Sequence, residues 1–440
     1  MKKVLSAGCW VALIVAAALT TPAAAADYYV DPDGSDASPG TIDRPLKTPD
    51  VAARKLMPGD TLYFRAGTYH CQRNGVVGLA PWRSGEAGQP ITFMAYHDER
   101  VVIDCGGSDW GFTPDGFSYI VIDGFEIVAR RHYGMKISAH HGGGGPNTGD
   151  HVTVRNCEIH HTPGECLFAA NTPYLTIENC YLHDSDRSHG LYLAGKCDNA
   201  VIRNVLSENN HGNSGIQLNA TQTGIRKALV ENCVLRNNAQ GLSLMANINC
   251  TFRNNLLFNN GYPGPRGSGN REVILWTYNE DPTKRVACKD NLFENNTIVN
   301  LRNHHLFHIK SGTTGTVIRN NVLFTGKNVV MTFDGDSVSG TVLENNCLFN
   351  AGGTQAAVTG EGGGRFSLDE FVARFKVKSS GNRLADPLFV DLAAVDLRLS
   401  PKSPCPKAGV DWSRLPIAPG QRVGPRWRKP NPTTTKPGPQ

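Results

Sequence analysis

One asparagine per repeat is the feature that most restricts how this chain can fold. It stands in short motifs that read RNC, ENC, RNV, RNN or ENN, and most of these motifs follow a short apolar run. The repeated asparagines are Asn156, Asn179, Asn204, Asn232, Asn254, Asn295, Asn320 and Asn345. Their spacings are 23, 25, 28, 22, 41, 25 and 25 residues, so one turn of the repeat is expanded. A repeat of this length indicates a solenoid of stacked coils.

Each coil contains two or three short apolar strands. The run from Leu175 to Ile177 precedes one repeated asparagine, and Leu191 to Leu193 follows the next loop. Strands this short cannot bury a face alone, so the coils must stack, pair in parallel and fill the interior with alternate side chains. We expect the amides of stacked asparagines to satisfy turn carbonyls along the axis. The pattern predicts an all-β fold, a single-stranded right-handed parallel β-helix.

The chain divides into one large domain and two flanking segments. Residues 1–26 are predicted to be a cleavable signal peptide, because two lysines precede an apolar stretch that ends in alanines. A membrane anchor is the alternative interpretation of that stretch. The β-helix domain is predicted over residues 27–410, with an N-terminal cap at 27–65 and a C-terminal cap region at 351–410. We therefore expect a secreted or periplasmic protein.

Two short helices and a polar tail are also predicted. Thr48, followed by proline, predicts a capping helix that reaches about Leu56. Ser367 and Glu370 form a capping box for a second helix near the C-terminal end. The Pro/Arg-rich residues 411–440 are predicted to be disordered.

The charge balance argues against nucleic acid as a partner. The formal net charge is +5, from 44 basic and 39 acidic residues. Two of the basic residues lie in the predicted signal peptide and five in residues 421–440, which leaves 37 basic against 39 acidic residues in the body. A basic stripe for phosphate contacts is therefore missing from the body. We expect a monomer that is not attached to a membrane after the signal peptide is cleaved.

The cysteines fit the repeat. Cys157, Cys180, Cys233 and Cys347 follow repeated asparagines, at positions where a small apolar side chain would point inward. The alternative is a disulfide between Cys157 and Cys180, since neighbouring coils place equivalent Cα atoms about 4.8 Å apart. Of the 12 cysteines, 11 follow the predicted signal peptide, so at least one of them has no disulfide partner within the chain.

Several segments resemble the secreted parallel β-helix proteins of the pectate-lyase-like superfamily. These segments are DYYVDPDGSDASPGTIDRPLKT, PGDTLYFRAGTY, SGEAGQPITFMAY and YIVIDGFEI, and near the end DPLFVD and DLRLSPKSPCPKAG. The resemblance covers most of residues 27–410 and implies the same fold. Its families include pectate and alginate lyases, polyuronide C5-epimerases, some glycosidases and proteins of unknown activity. The fold does not choose among these activities.

Aligning the coils brings distant residues together. The small residues Gly134, Cys166, Gly190, Gly215 and Gly241 align in one column. Two residues later, the outward side chains are predicted to be Lys136, Phe168, Tyr192, Gln217 and Ser243. One residue before that column they are Tyr133, Glu165, His189, Ser214 and Gln240. These two rows predict a groove on one face of the solenoid.

Histidines concentrate at this predicted groove. Nine of the 14 histidines fall between His132 and His211. If the substrate is a polyuronide, abstraction of the proton next to its carboxylate requires charge neutralisation and a base. The predicted catalytic residues are His189 as base, Tyr192 as proton donor, Arg187 for neutralisation, and Lys136 as a substitute base or a carboxylate clamp. The predicted substrate-binding residues are Glu165, His161, Lys196, His211, Gln217, Asn219 and Trp276.

Three carboxylates allow a further hypothesis. Glu165, Asp184 and Asp186 could bind Ca²⁺, which would bridge to a uronate, or an acid pair among them could hydrolyse a glycoside. Alternatively, the two aspartates only form turn hydrogen bonds with their own backbone. The chain departs from the family at this point, because it lacks both the clustered calcium ligands of calcium-dependent pectate lyases and the DPHD motif of mannuronan epimerases.

Three functions remain open at this stage. The first is an extracellular lyase that cleaves an acidic, uronate-containing polysaccharide by β-elimination. The second is a related enzyme, either a polyuronide C5-epimerase or a glycoside hydrolase. The third is a non-catalytic carbohydrate-binding or surface β-helix protein. In each case the expected partner is a polysaccharide.

Overall fold

The structure is a computed structural model of the chain. It describes residues 24–70, 80–106, 109–138, 149–262, 271–277, 286–302, 304–352, 358–359 and 364–432. Nearly all of the predicted signal peptide lies outside these ranges. Within them, no helix is both long enough and apolar enough to cross a membrane.

Three stacked sheets run along the molecule, and they account for nearly all strands. Sheet I has 13 strands. They are Asp27–Val30, Thr61–Phe64, Ile91–Ala95, Ile120–Asp123, Thr153–Arg155, Thr176–Glu178, Val201–Arg203, Leu229–Glu231, Thr251–Arg253, Leu292–Glu294, Val317–Arg319, Val342–Glu344 and Lys378–Ser380. Sheet II has 12 strands. They are Gly67–His70, Val101–Asp104, Glu126–Val128, Glu158–Thr162, Tyr181–Ser185, Leu206–Glu208, Val234–Arg236, Leu256–Phe258, Thr297–Asn300, Val322–Thr325, Cys347–Asn350 and Arg383–Leu384.

Sheet III has 11 strands. They are Trp110–Phe112, Tyr133–Ser138, Leu167–Ala170, Leu191–Ala194, Ser214–Asn219, Gln240–Met245, Arg271–Trp276, His305–Ile309, Met331–Phe333, Val358–Thr359 and Arg365–Phe366. Two small pairs, Ile225–Arg226 with Asn247–Ile248 and Phe389–Asp391 with Asp396–Leu399, complete the described strands.

Successive coils pair strand on strand without a shift. Val154 of sheet I lies beside Ile177, which lies beside Ile202, and the same parallel register continues along the sheet. Only the last strand of sheet III is antiparallel within the three large sheets of the described chain. Alternate side chains of all three sheets meet in one apolar core that runs along the axis. The predicted right-handed parallel β-helix is confirmed.

The repeated asparagines lie at the corner between sheets I and II. All eight adopt a left-handed backbone, with φ between 52° and 55°. Asparagine tolerates this conformation better than most residues with a side chain. Asn179 also donates a side-chain hydrogen bond to Asn156 (2.6 Å), and Asn254 donates one to Asn232 (2.8 Å). The repeat therefore marks a turn conformation, with side-chain pairing on some coils.

The continuous buried amide ladder is formed by the residue after the repeated asparagine, which corrects the sequence-based interpretation. Its members are Asn255, Asn296, Asn321, Asn346 and Asn382. Each amide donates to a backbone carbonyl, as Asn321 does to Phe293, and each except the last, Asn382, also donates to the side-chain oxygen of the next asparagine. The earlier coils place Cys157, Cys180 and Cys233 at this inward position.

Asn321→Ala is expected to lower the free energy of unfolding by about 2 kcal/mol or more, because it leaves buried donors without acceptors. The Asn321 side-chain oxygen accepts from both the backbone and the side-chain nitrogen of Asn296. Asn179→Ala should cost only about 1 kcal/mol, since the left-handed turn is more exposed. Urea denaturation of both variants checks that Asn321→Ala is the less stable of the two. Equal midpoints for Asn321→Ala and wild type would contradict the prediction.

The inward position predicted for the cysteines is confirmed for three of them. Cys157, Cys180 and Cys233 are fully buried thiols. Burial raises the pKa of Cys180, and a contact with Cys157 raises it further. The structure thus contains this pair as thiols rather than as the alternative disulfide. Cys347 is buried too, but it stands two residues after its repeated asparagine and pairs with Val322 of sheet II.

Both predicted helices are present. The first spans Pro49–Ala53, slightly shorter than expected. The second spans Leu368–Phe375 and begins with the predicted capping box of Ser367 and Glu370. It ends at Lys376, which has a left-handed backbone.

The C-terminal segment differs from the prediction of disorder over its described part. Residues 411–432 lie on the outer face of sheet II, and Leu415 and Val423 are buried in an apolar cluster there. Arg426 binds the buried Asp123 (2.6 Å), and Arg428 binds Glu158 through two nitrogens (2.7 and 2.8 Å). These carboxylates belong to coils far away in sequence, so composition alone did not reveal them.

Candidate functional site

The predicted rows of the groove are present on the outer face of sheet III. Strand register places Lys136, Phe168, Tyr192, Gln217 and Ser243 side by side on successive coils. Neighbouring strands of a sheet lie about 4.8 Å apart, so each step along this row is about that distance. We call this row of side chains the central row.

The second predicted row lies beside the central row. The Gly134 amide donates to the Glu165 carbonyl, the Cys166 amide to the His189 carbonyl, and the Gly190 amide to the Ser214 carbonyl. Ser214 pairs in turn with Gln240. The column between the rows needs small residues, because a Cβ on Gly190 would lie 2.3 Å from the Ser207 hydroxyl. The coil alignment made from sequence is therefore correct.

Aromatic rings cover the first coils of this face. Tyr133 stacks on Phe168 with ring centroids 5.5 Å apart, and Phe168 meets Tyr192 edge-on at 5.4 Å. A cavity of about 460 Å³ opens at this end of the face. Its lining residues are Asp109, Trp110, Arg131, His132, Tyr133, Lys136 and Phe168. Aromatic walls with a few charged groups are typical of carbohydrate sites.

Lys136 is the buried cation of this cavity. Its ammonium binds Asp115 at 2.8 Å and lies 4.3 Å from the centre of the Trp110 ring. Its side chain is only 3% exposed, so water screens its charge weakly. Asp115 also accepts from the Ser138 backbone amide, which fixes the carboxylate beneath the lysine. This arrangement suits a charged clamp, because the Asp115 carboxylate and the Trp110 ring hold the ammonium in one position.

Tyr192 is oriented as a hydrogen-bond donor. Its hydroxyl oxygen accepts a hydrogen bond from the Asn219 side chain (2.9 Å), which leaves its own proton available. Burial raises the pKa of Tyr192, and the charge of Glu165 raises it further. Burial and Glu165 also raise the pKa of Tyr133 to about 12. Glu165 is therefore the carboxylate whose charge acts on both tyrosines.

His189 is placed where the sequence predicted it, but its hydrogen bonding argues against the role of base. Its Nδ1 accepts from the Ser214 backbone amide (3.2 Å), and its ring lies 4.9 Å from that of Tyr192. A neutral ring therefore carries its proton on Nε2 and can only donate there. Proton abstraction by His189 would first require this hydrogen bond to break.

Four other predicted residues lie away from the central row. Arg187 is exposed and faces Asp186 at 3.7 Å. Lys196 lies in an exposed turn after sheet III. His161 and His211 line a second cavity of about 600 Å³ at the corner between sheets II and III. Predictions that assign these residues to the same catalytic site as Tyr192 therefore lack geometric support.

Gln217, Asn219 and Trp276 do lie on the outer face of sheet III. Gln217 follows Tyr192 in the central row. Trp276 donates its indole hydrogen to the Ser243 hydroxyl (3.3 Å). Of the nine histidines concentrated near the predicted groove, His140 and His141 lie outside the described residues.

The three carboxylates proposed for calcium do not form one ligand set. Asp184 binds the His183 ring at 2.8 Å, and that contact lowers the pKa of the aspartate. Asp186 is largely exposed, whereas Glu165 belongs to the row beside Tyr192. Among the described residues there is no group of three or more histidines, cysteines and carboxylates that could hold a metal ion. These three carboxylates therefore do not fit a shared calcium ion.

Sequence reasoning missed two groups on this face. Asp115, which holds Lys136, follows the strand Trp110–Phe112, whose alignment with the later coils was not recognised. Arg271 and His305 extend the row that contains Gln240. Aligning the strand after the expanded turn on Gln240 would have revealed Arg271 from sequence.

Comparisons with known proteins agree with the fold. A family described as "Pel9A-like, right handed beta helix region" matches residues 28–189, and one described as "Right handed beta helix region" matches residues 115–276. Pectate lyase PEL9 of Emericella nidulans is 43% identical over 100 residues, which are 23% of this chain and 23% of that protein. Pectate lyase L of Paenibacillus polymyxa is 26% identical over 149 residues, which are 33% of this chain and 30% of that protein. The matched segments span less than a third of these relatives.

Solved structures match over a longer range. The crystal structure of pectate lyase Pel9A superimposes with a TM-score of 0.55 at 16% identity, covering 92% of this chain and 96% of that one. At this identity the likeness shows the fold alone. The chain is thus a right-handed parallel β-helix protein. Over parts of its length, the chain is similar to a Pel9A-like family and to pectate lyases.

Proposed function

We propose that this protein is a polysaccharide lyase that cleaves an acidic, uronate-containing chain by β-elimination on the outer face of sheet III. One observation carries the proposal. Lys136, Glu165 and Tyr192 lie on three successive coils around the ring of Phe168. Lys136 and Tyr192 are two steps apart in the central row, which is about 10 Å. A sugar ring placed over Phe168 would meet all three groups.

The three groups match the needs of β-elimination. The Lys136 ammonium would neutralise the substrate carboxylate, which makes the neighbouring C–H more acidic. Glu165 would accept that proton, a role in which carboxylates serve when the adjacent charge is stabilised. Tyr192 would donate its proton to the departing glycosidic oxygen. This assignment replaces His189 as the base.

The similarity to pectate lyases supports the class of reaction, and the predicted signal peptide supports action outside the cytoplasm. The test is incubation with pectate, alginate and glycosaminoglycans while the absorbance of the unsaturated product is followed. Reducing ends without unsaturation would indicate a hydrolase instead. Solvent hydrogen exchange into uronate without cleavage would indicate an epimerase. Binding without any product would favour a carbohydrate-binding protein.

Lys136→Met should raise KM for the acidic polymer by roughly 10-fold or more, because a buried charge-assisted contact to the carboxylate is lost. Part of the loss should appear in kcat as well, since the carboxylate gains charge in the transition state. Steady-state kinetics measure both values. Lys227→Met, in an exposed turn outside the groove, is the matched control. Unchanged kinetics for Lys136→Met would remove the lysine from the site.

A further inference from the structure

Arg271 lies further along the same face. It begins the strand Arg271–Trp276 and pairs with Gln240 on one side and His305 on the other. Arg271 is three coils beyond Tyr192 and five beyond Lys136. At about 4.8 Å per coil, these separations are roughly 14 Å and 24 Å.

Arg271 differs from the arginines of the neighbouring sheet. On sheet I, Arg155, Arg203 and Arg253 each form an ion pair with a carboxylate of the preceding coil. Arg271 forms neither an ion pair nor a hydrogen bond with any described residue, and its Nε is buried without a partner. Burial lowers the pKa of this guanidinium. A half-buried, unpaired guanidinium is costly for the fold alone, so a ligand is the natural source of its partner.

The surroundings of Arg271 keep its charge available. Asp334 is the carboxylate whose charge acts on Arg271, but it binds His308 at 2.6 Å and forms no ion pair with the arginine. Burial lowers the pKa of His305 to about 4, so that ring is neutral at pH 7. Arg271, His305, His308 and Asp334 form one cluster. Arg271 is the permanent positive charge of this cluster.

Neutral polar side chains connect Arg271 with Tyr192. The intervening coils place Gln217 and Gln240 on this face. Such groups bind hydroxyls, whereas the cations Lys136 and Arg271 lie further out, Lys136 two coils before Tyr192 and Arg271 three coils after it. The charge pattern fits a polymer that carries anionic groups at intervals and lies along the axis of the solenoid.

We propose that Arg271 binds a carboxylate of an acidic polysaccharide several units away from the bond at Tyr192. The inference rests on the proposed function for the nature of the ligand, since an acidic chain must occupy the groove. It adds that the groove extends over at least five coils and favours long chains. A planar guanidinium and a carboxylate can form two parallel hydrogen bonds, which suits this position.

Calorimetric titration tests the inference with oligomers of two and eight units prepared from polygalacturonate, alginate and hyaluronan. Wild type should bind the eight-unit form of at least one polymer more tightly than its two-unit form. Arg271→Met should weaken binding of that longer oligomer by roughly 10-fold or more and leave the shorter one unchanged. Arg383→Met, on an exposed strand of sheet II, controls for the loss of one positive charge. Dextran sulfate tests an ester sulfate as the alternative anion.

Several outcomes would overturn the inference. They are equal binding by Arg271→Met and wild type, no binding of any oligomer to wild type, or weakened binding of dextran sulfate alone. The formation of unsaturated product is followed separately for both proteins. Product from Arg271→Met with unchanged binding would refute the role of Arg271 and leave the lyase proposal intact. If Arg271→Met binds the longer oligomer more weakly but wild type forms no unsaturated product, the role of Arg271 is supported and the lyase proposal is refuted.

Discussion

Replacing Tyr192 with phenylalanine is expected to lower kcat by roughly 100-fold or more while KM changes little, the usual size of a lost general acid. The substitution removes one hydroxyl and keeps the ring that packs against Phe168 and His189. Because Asn219 donates to the hydroxyl oxygen, the Tyr192 proton points elsewhere, and the substrate oxygen is its proposed acceptor. Burial raises the pKa of Tyr192 above its ordinary value of 10.0, so the donor stays protonated at neutral pH.

Steady-state kinetics on the polymer identified in the substrate screen measure this effect. Tyr174→Phe removes a hydroxyl from a largely exposed ring that stacks on His151, away from the groove, and serves as the matched control. Thermal unfolding of both variants checks that the fold is retained. Full activity of Tyr192→Phe would assign proton donation to another group, and His189 with its Nε2 hydrogen would be the next to test.

The coil alignment and the central row could be predicted because both follow from local chemistry. An asparagine is favoured at each left-handed corner, and a small residue is needed where the start of each sheet III strand packs against the following coil. Both constraints recur once per coil, so counting residues places Lys136, Phe168 and Tyr192 on one face. The aligned strands then show which side chains are neighbours in the fold although they are far apart in sequence.

Roles that depend on a single contact could not be predicted in the same way. The Ser214 amide that occupies His189 Nδ1 comes from the next coil, and sequence gives no sign of its direction. Asp115 lies 21 residues before Lys136, and only the folded coil brings the two together. The C-terminal arginines find partners 303 and 270 residues away. Polar pairing across such distances leaves no periodic signal in the sequence.

The difference in the free energy of unfolding between wild type and Glu272→Gln is expected to change with pH. As pH rises from about 4.5 to 7, wild type should lose about 3 kcal/mol relative to the variant. Glu272 is fully buried inside the solenoid, at the end of a second amide ladder formed by Asn210, Asn238 and Asn260. Its carboxylate accepts from the backbone and side chain of Asn260 and from the side chain of Asn300. Burial nevertheless raises the pKa of Glu272 from 4.5 to about 7.

The sign follows from proton binding. Between pH 4.5 and 7 the folded protein keeps a proton on Glu272 that the unfolded chain has released, so unfolding becomes easier as pH increases. Below this window both states are protonated, and above it both are ionised, so the difference levels off. Glutamine cannot titrate, and its amide faces the Asn260 donor at every pH, which makes the variant less stable by a nearly constant amount.

Urea unfolding of wild type and Glu272→Gln at four or more values between pH 4 and 8 gives the difference directly. Other carboxylates and histidines titrate in both proteins, so their contributions cancel in the comparison. Glu344→Gln, on the outer face of sheet I, controls for the loss of one negative charge. A difference that stays constant across this range would mean that the pKa of Glu272 is the same in the folded and unfolded chains. In that case its three donors, rather than its burial, would determine the charge at the end of the ladder.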